Sequence, residues 1–314
     1  MERKSGGARL ALSSPLYNPN DAVVDIIFIH GLGGHRENTW TKYNVFWPQK
    51  ILPEDVPKAR IWSWGYDADL LHFWNKHSNN ALKDHSSQLC SDLAGVRVEA
   101  PNRPILFVVH SLGGIVCENA MVQSTLSADE HIKQIAACTK GIVFLGTPLE
   151  GSKKTKWAEI GHKFASLVGQ AKNKDVVEAI KDSSPRLYDL RDKFGHILRS
   201  RAESKAGKIE VVCFYEEFDS PIGRIVTKES ATILSYEAQS IPADHSEMCK
   251  FASKTEPGYE RVSKVLKRWV DALEKPVAET PTLGDIINMQ VSEVKGGNVS
   301  GKHIGNSTMT ITYN

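Results

Sequence analysis

The chain of 314 residues lacks the patterns that mark several common protein classes. It contains no C-x-x-C and no H-E-x-x-H pattern, so we predict neither a metal site nor a cofactor. Its 39 basic residues nearly balance its 37 acidic residues, and this argues against the concentrated basic face of a nucleic-acid-binding protein. No apolar run approaches the length of a membrane span, and no apolar segment follows the first residues as in a signal peptide.

Cysteine is also scarce, and its distribution does not suggest a disulfide framework. The five cysteines are odd in number, widely spaced and mostly flanked by apolar residues: Cys90, Cys117, Cys138, Cys213 and Cys249. This pattern predicts buried, reduced thiols in an intracellular protein. Together with the missing membrane span, it leads us to expect a soluble, cytoplasmic protein.

Short apolar runs alternate with helical patterns through the first 275 residues. Five runs predict buried strands, at residues 23–30, 59–64, 105–110, 141–145 and 209–215. Helices are predicted at 78–98, 114–127 and 175–181, and a closing amphipathic helix at 259–274. This alternation predicts an α/β domain over residues 1–275, with a mostly parallel central sheet flanked by helices.

The composition changes after residue 275. Residues 276–283 contain two prolines and read as a linker, while residues 284–314 are rich in Gly, Asn, Thr and Ser. We expect this tail to be disordered in the isolated monomer, because it offers no apolar stripe for a core. Its low charge, β-branched residues and asparagines also favour cross-β assembly, and a tail that does not assemble is the alternative. Residues 296–302 have the glycine and lysine spacing of a phosphate-binding loop, but His303 replaces the required Ser or Thr.

The segment at residues 104–114 carries the strongest chemical signal. A buried strand ends abruptly at His110-Ser111-Leu112, and two glycines open the next helix. A serine on such a sharp strand-to-helix turn is held where its hydroxyl can attack a carbonyl carbon. We predict that Ser111 is a nucleophile, and a plain loop between two elements is the alternative.

The remaining parts of a serine hydrolase site occur in the expected order. A glycine-rich segment follows the first strand at residues 30–34, and there the backbone N–H of Leu32 can face the site together with that of Leu112. These two amides are our candidates for the oxyanion hole. His245 lies late in the chain, in a short polar loop before the closing helix, where the general base is expected.

The acid that orients the base has three candidates. Glu216, Glu217 and Asp219 all follow the strand at 209–215. We favour Glu216, because it comes first after the strand on the most rigidly placed backbone, and Asp219 is the second choice. Residues 151–206 interrupt the strand rhythm and predict a helical cap that contributes an apolar acyl pocket, with ordinary helices on the sheet as the alternative. The apolar residues of this segment that we expect at the pocket are Trp157, Phe164, Leu167 and Val168.

These motifs together resemble a group of α/β-hydrolases, the serine esterase/lipase-like proteins related to phospholipid-remodelling serine hydrolases and to GPI inositol deacylases. The matching segments run collinearly through the domain: VDIIFIHGLGGH (24–35), TW (39–40), WPQKILP (47–53), RIWSWGYDADL (60–70), VVHSLGG (108–114), GIVFLGTPLEGS (141–152), FYEE (214–217), ESATIL (229–234) and DHSEMCKF (244–251). The resemblance implies an α/β-hydrolase fold with Ser111, His245 and Glu216 as its triad. Two positions depart from the pattern of this group. Val109 stands where many hydrolases have glycine, and Leu149 stands where related sequences often have histidine.

The whole layout is also similar to fungal SesB-type effectors, whose hydrolase domain is encoded beside NOD-like receptors. In that group, short C-terminal prion-like amyloid motifs carry the signal from receptor to effector. The resemblance implies an esterase or lipase that cleaves lipid or other esters. It also implies a NOD-like receptor as partner of residues 284–314 and peripheral contact of the protein with a membrane. The alternative is a catalytically silent module that signals through amyloid templating of its tail.

Overall fold

The computed structural model divides the chain into two units, residues 1–274 and residues 275–314. The residues that the structure describes are 12, 14–66, 68, 81–149, 159, 162–166, 174–204, 207–221, 223–231, 236–274, 300–304 and 308–312. The first unit holds the central sheet and its helices. Within its described part, no helix combines the length and the apolar composition that crossing a bilayer requires.

The first unit contains eight strands and eight helices among its named elements. The strands are β1 (Val24–Ile29), β2 (Thr41–Lys42), β3 (Val45–Phe46), β4 (Ala59–Trp64), β5 (Ile105–His110), β6 (Thr139–Leu145), β7 (Glu210–Glu216) and β8 (Glu237–Ile241). The helices are α1 (Trp47–Lys50), α2 (Leu52–Asp55), α3 (Ala81–Val96), α4 (Gly113–Leu126), α5 (Glu130–Cys138), α6 (Lys174–Glu203), α7 (Lys228–Ala231) and α8 (Pro257–Glu274). A short 3-10 helix at Asn38–Trp40 precedes β2.

Six strands form one sheet in the order β4-β1-β5-β6-β7-β8. Every neighbouring pair in this sheet is parallel. The carboxyl ends of β5, β6 and β7 therefore meet at one edge, which is where open parallel sheets place their sites. This confirms the predicted α/β class with a mostly parallel sheet flanked by helices.

Alternating side chains of the strands build a core on each face of the sheet. Ile27 of β1 and Phe107 of β5 belong to the core under α3, α4 and α6. Their neighbours Ile26 and Leu106 belong to the core on the opposite face, which α8 covers with residues such as Trp269. Strands buried on both faces read as continuous apolar runs, and this is why the sequence reveals them so clearly.

One buried charge interrupts the apolar run of β1. Asp25 is fully buried, and its carboxylate pairs with Arg60 at 2.6 Å, with Arg103 at 3.5 Å and with Arg97. Burying a carboxylate is tolerated when such partners offset its desolvation. The cluster lies at the amino end of the strand, away from the edge where the site forms.

Several elements differ from the sequence-based expectations. The edge strand β8, the hairpin of β2 and β3, and helix α5 were not predicted, and α6 continues through Pro185 far beyond the predicted residues 175–181. Part of the predicted cap region packs on the sheet, since Phe194 of α6 contacts Phe144 of β6 edge to face at 6.4 Å. Trp157, Leu167 and Val168 lie outside the described residues.

The second unit contains one antiparallel pair among its described residues. Strand β9 (Ser300–Ile304) pairs with β10 (Thr308–Thr312), with Thr308 opposite Ile304 and Thr312 opposite Ser300. This pair lies within the tail that we expected to be disordered in the monomer.

Candidate active site

Ser111 occupies a strained turn between β5 and α4. Its φ of 55° lies in the left-handed region, which residues other than glycine rarely adopt. The turn is fixed from two sides, because the Ser111 N–H donates to the Leu145 carbonyl at 2.9 Å and the Thr147 hydroxyl donates to the Ser111 carbonyl at 2.9 Å. Val109 stands where many hydrolases have glycine, which relieves crowding at this turn. Its side chain is fully buried, and the turn forms nevertheless.

Glycines make this turn possible by letting the next segments approach closely. A Cβ on Gly113 would lie 2.3 Å from the His30 carbonyl oxygen, which no side chain tolerates. A Cβ on Gly31 would lie 2.6 Å from the Ser111 Cβ. The glycine-rich loop after β1 therefore lies directly against the serine turn.

The structure brings His245 to Ser111, although 134 positions separate them in the chain. The His245 Nε2 lies 3.0 Å from the Ser111 Oγ, and both side chains are buried. The loop that carries His245 is shaped by the Asp244 carboxylate, which accepts from the backbone N–H of Ser246 at 2.9 Å and of Glu247 at 3.0 Å. These bonds shape the backbone of the turn that carries His245.

Glu216, the last residue of β7, is the carboxylate that contacts His245. Its Oε2 lies 3.0 Å from His245 Nδ1, and its Oε1 accepts from the Val226 N–H at 2.9 Å. A carboxylate accepts, so the proton of the imidazole lies on Nδ1 and the Nε2 lone pair faces the Ser111 hydroxyl. Three side chains from three separate segments thus form one chain of hydrogen bonds.

The other two carboxylates considered from the sequence lie elsewhere. Glu217 accepts a hydrogen bond from the Ser240 hydroxyl at 2.7 Å, on the exposed side of the strand end. Asp219, the second choice, pairs with Arg224 at 3.2 Å, and its side chain is 66% exposed. Neither contacts His245.

The two predicted amides belong to the loops that flank Ser111. His30 Nδ1–H donates to the Gly31 carbonyl at 2.9 Å, and the Gly34 N–H donates to the same oxygen at 3.1 Å. The Gly31 C=O and the Leu32 N–H belong to one trans peptide and point in opposite directions, so the bonds that hold the Gly31 oxygen also fix the direction of the Leu32 N–H. Tyr66 holds the ring from its other side, with its N–H 3.3 Å from His30 Nε2 and its ring stacked at 4.5 Å.

Leu112 supplies the second amide, directly before the first residue of α4. Neither the Leu112 nor the Leu32 N–H donates to a backbone carbonyl among the described residues. Unpaired amides at the start of a helix attract negative charge, because the helix dipole is positive there. This argument applies to the Leu112 N–H, whereas Leu32 lies in the loop after β1 and lines the same pocket as Ser111.

Burial keeps two further histidines of the site neutral. It lowers the pKa of His30 to about 4, while the hydrogen bond to Gly31 opposes the change. Burial also lowers the pKa of His110 well below the ordinary range of histidine, and the neighbouring His245 adds to this effect. Neutral imidazoles can act as directional donors without adding charge to the site.

A pocket of about 260 Å³ opens onto Ser111 and His245. Phe164 lines it, and its ring lies edge-on to the His245 imidazole at 5.6 Å. Leu149 is buried and belongs to the core under α3, α4 and α6. The pocket is lined by both apolar and polar residues: Leu32, Gly33, Gly34, His35, Asn38, Thr39, His110, Ser111, Phe164, His245, Ser246, Cys249 and Lys250.

Two residues of the site escaped the sequence reasoning. Thr147 contacts the serine turn, and its place shortly after β6 could have indicated it. His110 contacts the loop that carries His245, and its place immediately before Ser111 could have indicated it. Among the described residues, no group of His, Cys, Asp or Glu has the arrangement of a metal site.

The parallel sheet, the serine turn and the order Ser, Glu, His along the chain define an α/β-hydrolase fold. No family model matches the chain. Protein SERAC1 of Bos taurus is 27% identical over 289 residues, which cover 83% of this chain and 41% of that protein. Protein SERAC1 of Homo sapiens is 25% identical over 281 residues, covering 81% and 40%. The chain spans about two fifths of the length of these relatives.

Solved structures are similar at lower identity. The lipase BlEst2 of Bacillus licheniformis superimposes with a TM-score of 0.48 at 16% identity, over 82% of this chain and 96% of that one. A carboxylesterase structure of Nitrososphaera gargenis gives a TM-score of 0.47 at 13% identity, over 82% and 100%.

Proposed function

We propose that the protein is a serine hydrolase that cleaves carboxylic ester bonds, with lipid esters as its substrates. The observation that carries the proposal is the continuous hydrogen-bond chain from Ser111 through His245 to Glu216. Each link measures 3.0 Å, within the reach that proton transfer requires. The resemblance to phospholipid-remodelling serine hydrolases favours lipids among the esters.

The first half of the reaction follows from the positions of these atoms. His245 Nε2 takes the proton of Ser111 Oγ as the oxygen attacks the ester carbonyl carbon. The carbonyl oxygen becomes an oxyanion that the Leu32 and Leu112 amides receive. Glu216 keeps the other imidazole proton on Nδ1 and stabilises the imidazolium that forms.

The second half reverses these roles. The imidazolium gives its proton to the leaving alcohol, and an acyl group remains on Ser111. Water, deprotonated by His245, then attacks the acyl carbonyl carbon. The bond from that carbon to Ser111 Oγ breaks, the imidazolium returns its proton to Oγ, and the carboxylic acid leaves. The proposed steps pass protons only between Ser111, His245, the substrate and water, and they invoke no metal or cofactor.

The substrate is tested by comparing lipids. Membrane extracts incubated with the protein should lose ester lipids and gain the matching free fatty acids, and extracts incubated with Ser111→Ala should not. We further propose a cytoplasmic protein that contacts membrane surfaces peripherally, which lipid substrates would require. An extract that changes equally with both proteins would refute the hydrolase proposal.

The tail supports a second proposal of a different class. We propose that residues 284–314 receive a signal from a NOD-like receptor through amyloid templating, a form of strand addition. The pairing of β9 with β10 favours it, because both five-residue segments adopt extended structure. A peptide of residues 284–314 should form thioflavin-positive fibres that seed further peptide, whereas a peptide that stays soluble would refute the templating.

A further inference from the structure

His110 makes one directional contact with the segment that carries the base. Its Nε2 lies 3.0 Å from the backbone carbonyl oxygen of His245. A carbonyl oxygen can only accept, so the proton of His110 lies on Nε2 and points at this oxygen. Both groups are buried, and in such surroundings a directional hydrogen bond is hard to replace with one to water.

The His245 carbonyl has no second donor among the described residues. The neighbouring groups of the loop are already engaged, since the Met248 N–H donates to the Asp244 carbonyl at 3.0 Å. Without His110, the His245 carbonyl would be a buried acceptor without a partner. Such a group drives the backbone to move toward water or another donor.

The other end of this contact is rigid. His110 is the last residue of β5 and directly precedes Ser111, whose N–H is bound to the Leu145 carbonyl. The hydrogen bond therefore joins the backbone of the base to the backbone that carries the nucleophile. It spans 135 positions of the chain in one step.

We propose that His110 is a positioning residue, which sets the distance between His245 Nε2 and Ser111 Oγ by holding the His245 carbonyl. The inference rests on the proposed hydrolase function. In this role His110 does not contact the substrate's reacting atoms. Its effect comes through the placement of the imidazole, for which an error of about 1 Å can cost roughly a hundredfold in rate.

The neutral state of His110 suits this task. Its ring centroid lies only 5.0 Å from that of His245. A charge on His110 would oppose the imidazolium that His245 forms during turnover, because like charges at short range disfavour each other. The buried ring donates its hydrogen bond without this penalty.

A role of His110 in packing alone predicts a different response to substitution. The His110 ring also lies edge-on to Trp40 at 6.4 Å and fills buried space beside it. If filling space were its purpose, any side chain of similar volume would serve. Two amides of the same chemistry but different reach separate the alternatives.

The test compares His110→Gln with His110→Asn in the full chain. The Gln amide nitrogen reaches about as far as imidazole Nε2, whereas that of Asn stops one carbon short. We expect His110→Gln to retain kcat within about threefold, and His110→Asn to lose about 10- to 100-fold with KM nearly unchanged. Equal losses in the two variants, or no loss in Asn, would overturn the inference.

A control variant separates an effect on activity from an effect on stability, and an NMR measurement tests the hydrogen bond without relying on turnover. Cys90→Ala, a buried change in α3 away from the site, is the stability control and should lower the melting temperature without lowering kcat. In the wild type, ¹⁵N NMR should place the His110 proton on Nε2, with the resonance identified by its loss in His110→Gln. A proton on Nδ1 would overturn the inference. Ser111→Ala separately decides whether any hydrolysis arises from this site.

Discussion

Replacing Glu216 by glutamine should nearly abolish turnover while leaving the shape of the site intact. The carboxylate accepts at both oxygens, from His245 Nδ1 at 3.0 Å and from the Val226 N–H at 2.9 Å. An amide of the same shape can keep only one of these bonds. If its oxygen stays with Val226, its NH₂ group faces Nδ1 and forces the imidazole proton onto Nε2. That proton then points at Ser111 Oγ, and the base can no longer accept the serine proton.

The magnitude follows from the lost base. The same carboxylate-to-amide change in a Ser-His-Asp protease drops kcat by about 10⁴-fold, and we expect a loss of that order here. It corresponds to about 5.5 kcal/mol of transition-state stabilisation, at about 1.36 kcal/mol for each factor of ten. KM should change little, because Glu216 lies behind His245 and does not line the pocket.

The assay is steady-state hydrolysis of a short-chain p-nitrophenyl ester. Glu217→Gln and Asp219→Asn are matched controls, since each removes a carboxylate charge within three positions of Glu216 without touching His245. Both should keep kcat within about twofold, as expected of surface substitutions away from the site. A Glu216→Gln enzyme within tenfold of wild type, or a larger loss in Asp219→Asn, would refute the assignment of the acid.

Two further perturbations test the packing around the site. Gly31→Ala should lower kcat at least tenfold, because the added Cβ would lie 2.6 Å from the Ser111 Cβ and displace the glycine-rich loop after β1, which carries the proposed Leu32 donor; an unchanged kcat would contradict the close approach. Burial raises the pKa of Glu118 from 4.5 to about 7, against the opposing effect of Arg191. Between these two pH values the native state holds a proton that the unfolded state has released, so this group's contribution to stability falls as pH rises, by about 3 kcal/mol in total. Urea titrations from pH 4.5 to 8 should show a flatter pH dependence in Glu118→Gln, and identical profiles would contradict the raised pKa.

The sheet was predictable from sequence because its central strands are buried on both faces. The run at β5, inside the sheet, was predicted to the residue, and so was the run at β4, an edge strand that is nevertheless mostly buried. Strand β8 escaped notice for the opposite reason. Its five residues, EAQSI, are mostly polar and only partly buried at the sheet edge, so they carry no apolar run.

Helix α6 shows how a local rule can fail. From the sequence, Pro185 predicts that a helix ends or kinks near this position, because proline removes a helical hydrogen bond. The structure nevertheless continues the helix from Lys174 to Glu203. Its described second half packs Leu187, Leu190 and Phe194 into the core, and this tertiary packing outweighs the local preference.

Some residues of the candidate site could be recognised from local sequence, whereas others are defined only by long-range contacts. Ser111 and Glu216 stand at the ends of recognisable strands, and parallel strands bring their carboxyl ends to one edge. The contact of His110 with the His245 carbonyl joins segments 135 positions apart and leaves no local pattern. Only coordinates reveal such a contact.

The most direct measurement of the central claim is covalent labelling with a fluorophosphonate, followed by mapping of the adduct by mass spectrometry. The probe reacts preferentially with a serine oxygen whose proton a neighbouring base removes. We predict a single adduct on Ser111, which His245→Ala slows by at least a thousandfold, as loss of the base does in a serine protease. An unlabelled protein, or an adduct on another residue that His245→Ala leaves unchanged, would contradict a Ser111–His245–Glu216 active site.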